Sequence, residues 1–302
     1  MSCINRSLRI AFYHFRHITA TARIPVVLIM VALFIMESLR AVTLFSDVVG
    51  IPATPFAFPH LTNDYVCQLI MMAGAILLFC DAPFEEKEYP YMLPRAGRLA
   101  WSIGQVIYII GLALLYVLFI FLFSVLPLAG HLEFAGEWGK IWGTLAKTNA
   151  GTEFGVMLQV TEYMVSHYAA LPALLISLAL EWGCVTWLGL FIYFSNKLTN
   201  RPIGTFAGAF CVLLDICIAN DWVCWANKFS PITLAQINTY TGYNLRYNIT
   251  LGYGKVFFAV GILVLILLCI FANYKDKVWC GVLEHNRKRR AKQRVHKEVD
   301  HG

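Results

Sequence analysis

The chain has 302 residues, of which 59% are hydrophobic and 14% charged, with a formal net charge of +6; its mean hydropathy is +0.63. A soluble domain carries about 25% charged residues, so this much apolar surface lacks the polar cover that water demands. These figures exclude an ordinary soluble enzyme and point to lipid as the solvent of most of the chain.

The first element in chain order is NRSLRIAFYHFRHITATA, residues 5–22. Leu8, Ala11, Phe12 and Phe15 repeat at helical spacing, with Arg9, Tyr13 and Arg16 on the other side, which predicts an amphipathic helix lying in the headgroup plane. Six apolar runs follow, at roughly Ile24–Phe45, Tyr65–Ala82, Trp101–Leu128, Tyr168–Phe194, Pro202–Ala219 and Val256–Tyr274. Each approaches the roughly 20 residues that a helix needs to cross a bilayer. Backbone groups in lipid must pair within their own segment, so the expected fold is an all-α membrane protein of six transmembrane helices. One domain is expected over 1–302: an interface helix over 1–23, a six-span bundle over 24–274 and a basic tail over 275–302. No cleavable leader is expected, since the N-terminus is polar and arginine-bearing.

Charge sets the expected orientation. Of the 24 lysines and arginines, eighteen fall in 1–23, 83–100, 195–201 and the tail, five in the alternate segments, and Arg40 lies within the first span. The positive-inside rule then places both termini in the cytoplasm, together with 83–100 and 195–201. Segments 46–64, 129–167 and 220–255 face outward. Trp138 and Trp142, four residues apart, fit a short outer helix on the bilayer surface. Ser230 before Pro231 is a good helix start. The tail HNRKRRAKQRVHK suits anionic lipid of the inner leaflet. It stands alone without a nucleic-acid-binding fold around it, so membrane lipids and no nucleic acid are its expected partners. The nine cysteines are an odd number without a CxxC pair and are expected as small packing residues.

Two sets of residues invite a functional reading. The first is the polar interruption DAPFEEKEYPYMLPRAGRLAW, residues 81–101. Acids Glu85, Glu86 and Glu88 lead, Tyr91 and Met92 form an apolar knuckle, and Arg95 and Arg98 close it. A connector that only turns needs a few polar residues, whereas ordered charges around exposed aromatics describe a docking surface. The second set is the charges inside spans, Glu37, Arg40, Glu181 and Asp215, which are expensive there and mark functional sites by default. Glu37 and Arg40 share a face at i, i+3 and are expected to pair. Glu181 follows roughly thirteen residues of its span, about 20 Å at 1.5 Å per residue. Asp215 falls near the outer end of the fifth span.

The amphipathic N-terminal helix, the charged knuckle between spans two and three with its Arg95-Ala-Gly-Arg98 run, and the outer segment WANKFSPITLAQ (225–236) before the last span resemble the membrane subunit of type-two ABC exporters. The resemblance implies that Glu85 to Arg98 forms a coupling helix docked on a separate ABC ATPase subunit. It implies a second permease copy or sibling, and short outer helices as a lid. It also implies residence in the cell membrane, most simply a bacterial plasma membrane. ATP and Mg would then sit on the partner subunit, with no cofactor bound by this chain, which has no GxxxxGK[ST] phosphate loop and is not expected to be an enzyme itself. Peptides, lipids, drugs and small cations are all compatible cargoes. An ion-coupled secondary transporter using Glu181 and Asp215 is the alternative. An intramembrane metalloprotease built on Glu85 and Glu86 is disfavoured, because all eight histidines are expected outside the spans or at their edges.

Overall fold

The computed structural model of the chain describes residues 3–17, 22–84, 97–240 and 249–273. Among these residues the architecture is entirely helical, with one isolated backbone bridge between Ala53 and Leu132. In chain order the α-helices are α1 (Cys3–Arg16), α2 (Arg23–Val49), α3 (Ala57–Asn63), α4 (Tyr65–Phe79), α5 (Arg98–Val125), α6 (Gly139–Lys147), α7 (Ala150–Glu153), α8 (Glu162–His167), α9 (Ala170–Thr199), α10 (Ile203–Ala219) and α11 (Leu251–Asn273).

Four of these helices are long and apolar enough to cross a membrane: α2, α5 with its 3-10 extension to Gly130, α9 and α11. The pair α3 and α4 makes a fifth only if the two, bent by 88°, are taken together. The expected span from Tyr65 is thus a 15-residue helix that reaches spanning length only together with α3. The break has a local cause: Asp64 is extended, and its carboxylate accepts from the amides of Val66 (3.0 Å) and Cys67 (2.9 Å), starting α4 afresh. At 17 residues α10 is shorter than the rest. The ends of α2 and α9 are set by left-handed residues. Gly50, at φ +67°, returns its amide to the Ser46 carbonyl, and Asn200 takes φ +51° after α9.

The long helices run alternately between two ends of one bundle. The first end carries the start of α2, the end of α4, the start of α5 and the turn between α9 and α10. Arg23 pairs with Asp81 there, and Asn196 of α9 donates to the carbonyls of Ala82 (2.8 Å) and Cys80 (3.3 Å) while accepting from the Gly204 amide of α10 (2.8 Å). The last helix finishes at the same end. Asn273 donates to the hydroxyls of Tyr193 (2.7 Å) and Ser102 (3.1 Å).

Helix α1 packs along α5 with a face other than the one the apolar spacing suggests. Ser7, Ile10, Ala11 and His14 are buried against the bundle, while Leu8 and Phe12 are exposed, as is Ile4. The close approach needs Gly104, where a Cβ would stand 2.8 Å from that of Ile10 and 3.0 Å from the Ser7 carbonyl oxygen. Ile4, Leu8 and Phe12 lie one turn apart on the outer surface, so the helix has a protein-facing side and a separate apolar side.

At the opposite end, α6 and α8 fold against the bundle. Trp138 and Trp142 are not surface decoration. Both are buried, and their indole N–H groups donate to the carbonyls of Tyr168 (2.7 Å) and Thr54 (3.0 Å). His60 is wholly buried in α3 and stacks on Trp142 at 4.6 Å. Exposed aromatics do occur at this end, at Trp222, Trp225 and Phe229. Cys67, Cys184 and Cys269 are buried in helix packing, and the described cysteines form no disulfide.

Candidate functional site

Three polar features stand out against the apolar bundle. The first is an enclosed pair at its centre. Gln68 on α4 and Glu181 on α9 are both 0% exposed, and the Gln68 amide nitrogen donates to Glu181 Oε2 at 3.0 Å. The remaining oxygens, Glu181 Oε1 and Gln68 Oε1, have no partner among the described residues, and neither does the hydroxyl of Ser177, one turn before Glu181. Burying a carboxylate oxygen without a donor costs several kcal/mol in effect. The pair is therefore equipped to take up a proton, a cation or water.

The second feature joins α10 to the segment before α11. Asp215 is 3% exposed and accepts from Thr233 Oγ1 (2.6 Å) and Gln236 Nε2 (3.1 Å). The expected helix start at Ser230 is a pair of short 3-10 turns, Thr233–Ala235 and Ile237–Tyr240. Ser230 Oγ still receives the Thr233 amide at 3.3 Å. Ile232, Leu234, Ala235 and Ile237 are wholly buried, so this segment packs inside the protein. Buried irregular backbone requires internal partners. Asn63 accepts from the Asn238 amide (3.1 Å), Thr239 donates to the Thr233 carbonyl (2.6 Å), and Tyr240 donates to that of Leu234.

The third feature is the first end of the bundle around the interruption quoted above. Of the predicted docking residues, Glu85, Glu86, Glu88, Tyr91, Met92 and Arg95 lie outside the described residues, as does the tail from residue 275. The flanks are described. Phe84 packs edge-on to Tyr108 at 5.1 Å and beside His14 at 6.3 Å, and Arg98 is the first residue of α5. His14 also meets Trp101 and Tyr108, and Gln105 Nε2 lies 2.9 Å from its Nε2. Burial among these rings, helped by the neighbouring His17, lowers the His14 imidazole to about 4.

Glu37 and Arg40 pair as expected at 3.5 Å, but both side chains point out of the bundle, 71% and 67% exposed. They share nothing with the central pair. Uncharged residues do much of the work that sequence reading assigned to charges: Gln68, Thr233 and Asn196 make the bonds, with Ser177 one turn from Glu181. Their only signal is a lone polar residue within an apolar run, as in VCQLIMM. Among the described residues no group of three or more His, Cys, Asp or Glu could hold a metal ion. Comparison with protein-family models, curated proteins and solved structures returns no match for the chain.

Proposed function

We propose that the chain is the membrane-spanning subunit of an ATP-driven exporter. In this reading it makes six passes through a cell membrane, with both termini and the 83–100 segment in the cytoplasm. It docks a separate ATPase subunit through that segment and works beside a second permease copy or sibling. The observation that supports it most is the anchoring of the segment's flanks. Asp81 is tied to Arg23 at the start of α2, Phe84 packs on α1 and α5, and Arg98 begins α5. A displacement applied between Glu85 and Arg95 thus enters three helices at once, as a transmission joint requires. The basic count on this end of the bundle and the exposed Trp222 and Trp225 at the other agree with a membrane-spanning arrangement.

The test is purification of tagged full-length chain from native membranes in mild detergent. The expected result is an ATPase subunit in stoichiometric amount, lost on charge reversal by Glu86→Lys with Arg98→Glu. A preparation that carries no ATPase in any condition sinks the proposal.

A second reading, ion-coupled secondary transport, draws on one specific observation: the enclosed Glu181 with its bare Oε1. Transport that continues after ATP depletion but stops when the proton gradient is collapsed would favour it over the first.

A further inference from the structure

At the end of the bundle opposite α1, a cleft of about 580 Å³ opens between α6 and α8, within the usual range for small-molecule sites. Its floor is bare helix. Gly143 lies between Lys140 and Lys147 on one face of α6, and a Cβ built there meets no atom within 4 Å. The two lysines are seven residues apart, about 10 Å along the helix axis, so their ammonium groups flank the open floor. Both are exposed, and neither makes an ion pair within the described residues. Glu137 also lines the cleft, and the two lysines leave its lining net positive.

The facing wall adds a second kind of contact. The His167 ring is held within its own helix, stacked on Tyr163 at 3.8 Å. Its Nδ1 lies 3.1 Å from the Tyr163 carbonyl and 3.0 Å from Ser166 Oγ. A carbonyl can only accept, so in the neutral ring Nδ1 carries the hydrogen and Nε2 is an acceptor. The back of the cleft is rigid, because the Trp138 indole is bonded to the Tyr168 carbonyl.

We propose that this cleft binds a hydroxylated organic anion of the glycerophosphate type. Lys140 and Lys147 hold the phosphate, the Gly143 floor gives the ligand's body room, and His167 Nε2 accepts from a ligand hydroxyl. The same chemistry is presented by a soluble polyol phosphate and by the headgroup of phosphatidylglycerol. The proposal is independent of the exporter reading, since it uses no residue of the 83–100 segment.

The experiment uses the full chain in phosphatidylcholine nanodiscs. One arm measures equilibrium binding of radiolabelled glycerol 3-phosphate. The other adds phosphatidylglycerol to the nanodiscs and reads retained lipid by native mass spectrometry. The variants are Lys140→Gln with Lys147→Gln, Gly143→Leu, which fills the floor while keeping both charges, and Lys255→Gln as a control outside the cleft. Loss of both charges, or of the open floor, should weaken binding by about tenfold or more, with the control within about twofold. Binding in the first arm alone identifies a soluble ligand, and in the second alone a lipid headgroup; either supports the site. Absence of binding in both arms overturns it. So does binding that survives Gly143→Leu at full strength, which would mark diffuse surface charge instead of a cleft.

Discussion

Replacing Gly104 by alanine adds one methyl group at the tightest contact between α1 and α5. The new carbon would stand 2.8 Å from Ile10 Cβ, 2.8 Å from its Cγ2 and 3.0 Å from the Ser7 carbonyl oxygen. Carbon contacts settle near 3.5–4.0 Å, so α1 must retreat by roughly 1 Å. The obstructing atoms are backbone and a branch point, which no rotamer change can clear. Overpacking of this kind costs about 1–3 kcal/mol, and 2 kcal/mol raises the undocked fraction of α1 about thirtyfold. Gly111 provides an internal control on the same pair of helices. Its added methyl would meet only the ring tip of Phe15, 2.7 Å from Cζ, and that ring can swing away, so the cost should stay below about 1 kcal/mol. Either alanine raises the intrinsic helix propensity of α5 by about 1 kcal/mol, so global stability is the wrong readout. The right one is local: maleimide labelling of a Ser7→Cys variant, located by mass spectrometry, since Ser7 is wholly buried while α1 is docked. Gly104→Ala should raise that labelling rate at least about tenfold, and Gly111→Ala should leave it within about twofold. Equal rates in the parent and the Gly104 variant, or in the two variants, would refute the packing argument.

Three further outcomes follow from the same structure. His14 binds fewer protons in its docked site than free in water, so attachment of α1 is complete above the ordinary imidazole value of 6.5 and is lost as pH falls toward 4. The loss reaches about 2 kcal/mol near pH 5; hydrogen exchange across residues 3–16, corrected for its intrinsic pH dependence, should report it, and a profile unchanged by His14→Gln would refute it. Gln68→Leu leaves Glu181 without the amide that now donates to it and should cost about 3 kcal/mol in thermal unfolding, whereas the Gln68→Leu, Glu181→Leu double variant should regain most of that loss; equal destabilisation of the two would contradict this. Asp215→Ala removes the acceptor of both Thr233 and Gln236 and should speed hydrogen exchange over 230–240 by about tenfold while leaving α1 unchanged.

Long apolar runs report on their own solvent, and for that reason the helical membrane character of the chain, the approximate extents of its helices and the Glu37–Arg40 pair could be read from residue order alone. The pair needed only i, i+3 spacing. The break at Asp64 was also latent in the sequence, since an aspartate ahead of an apolar run is a helix-starting residue, but hydropathy averaged over a window passes across it. What folding alone decided is which surfaces meet. Gln68 and Glu181 are 113 positions apart, and no periodicity within either helix names the other as its partner. The same holds for Asn196, whose one side chain ties the ends of α4 and α10 to α9. Trp138, just before α6, and Trp142 within it look identical to membrane-belt residues until Tyr168 and Thr54 supply carbonyls for their indoles. Helix α1 shows the difference most directly. Its apolar spacing fixed that one side would avoid water, but the absent side chain of Gly104, ninety residues on, fixed which side faces protein, because two helices approach closest where one of them has no Cβ to keep the other away.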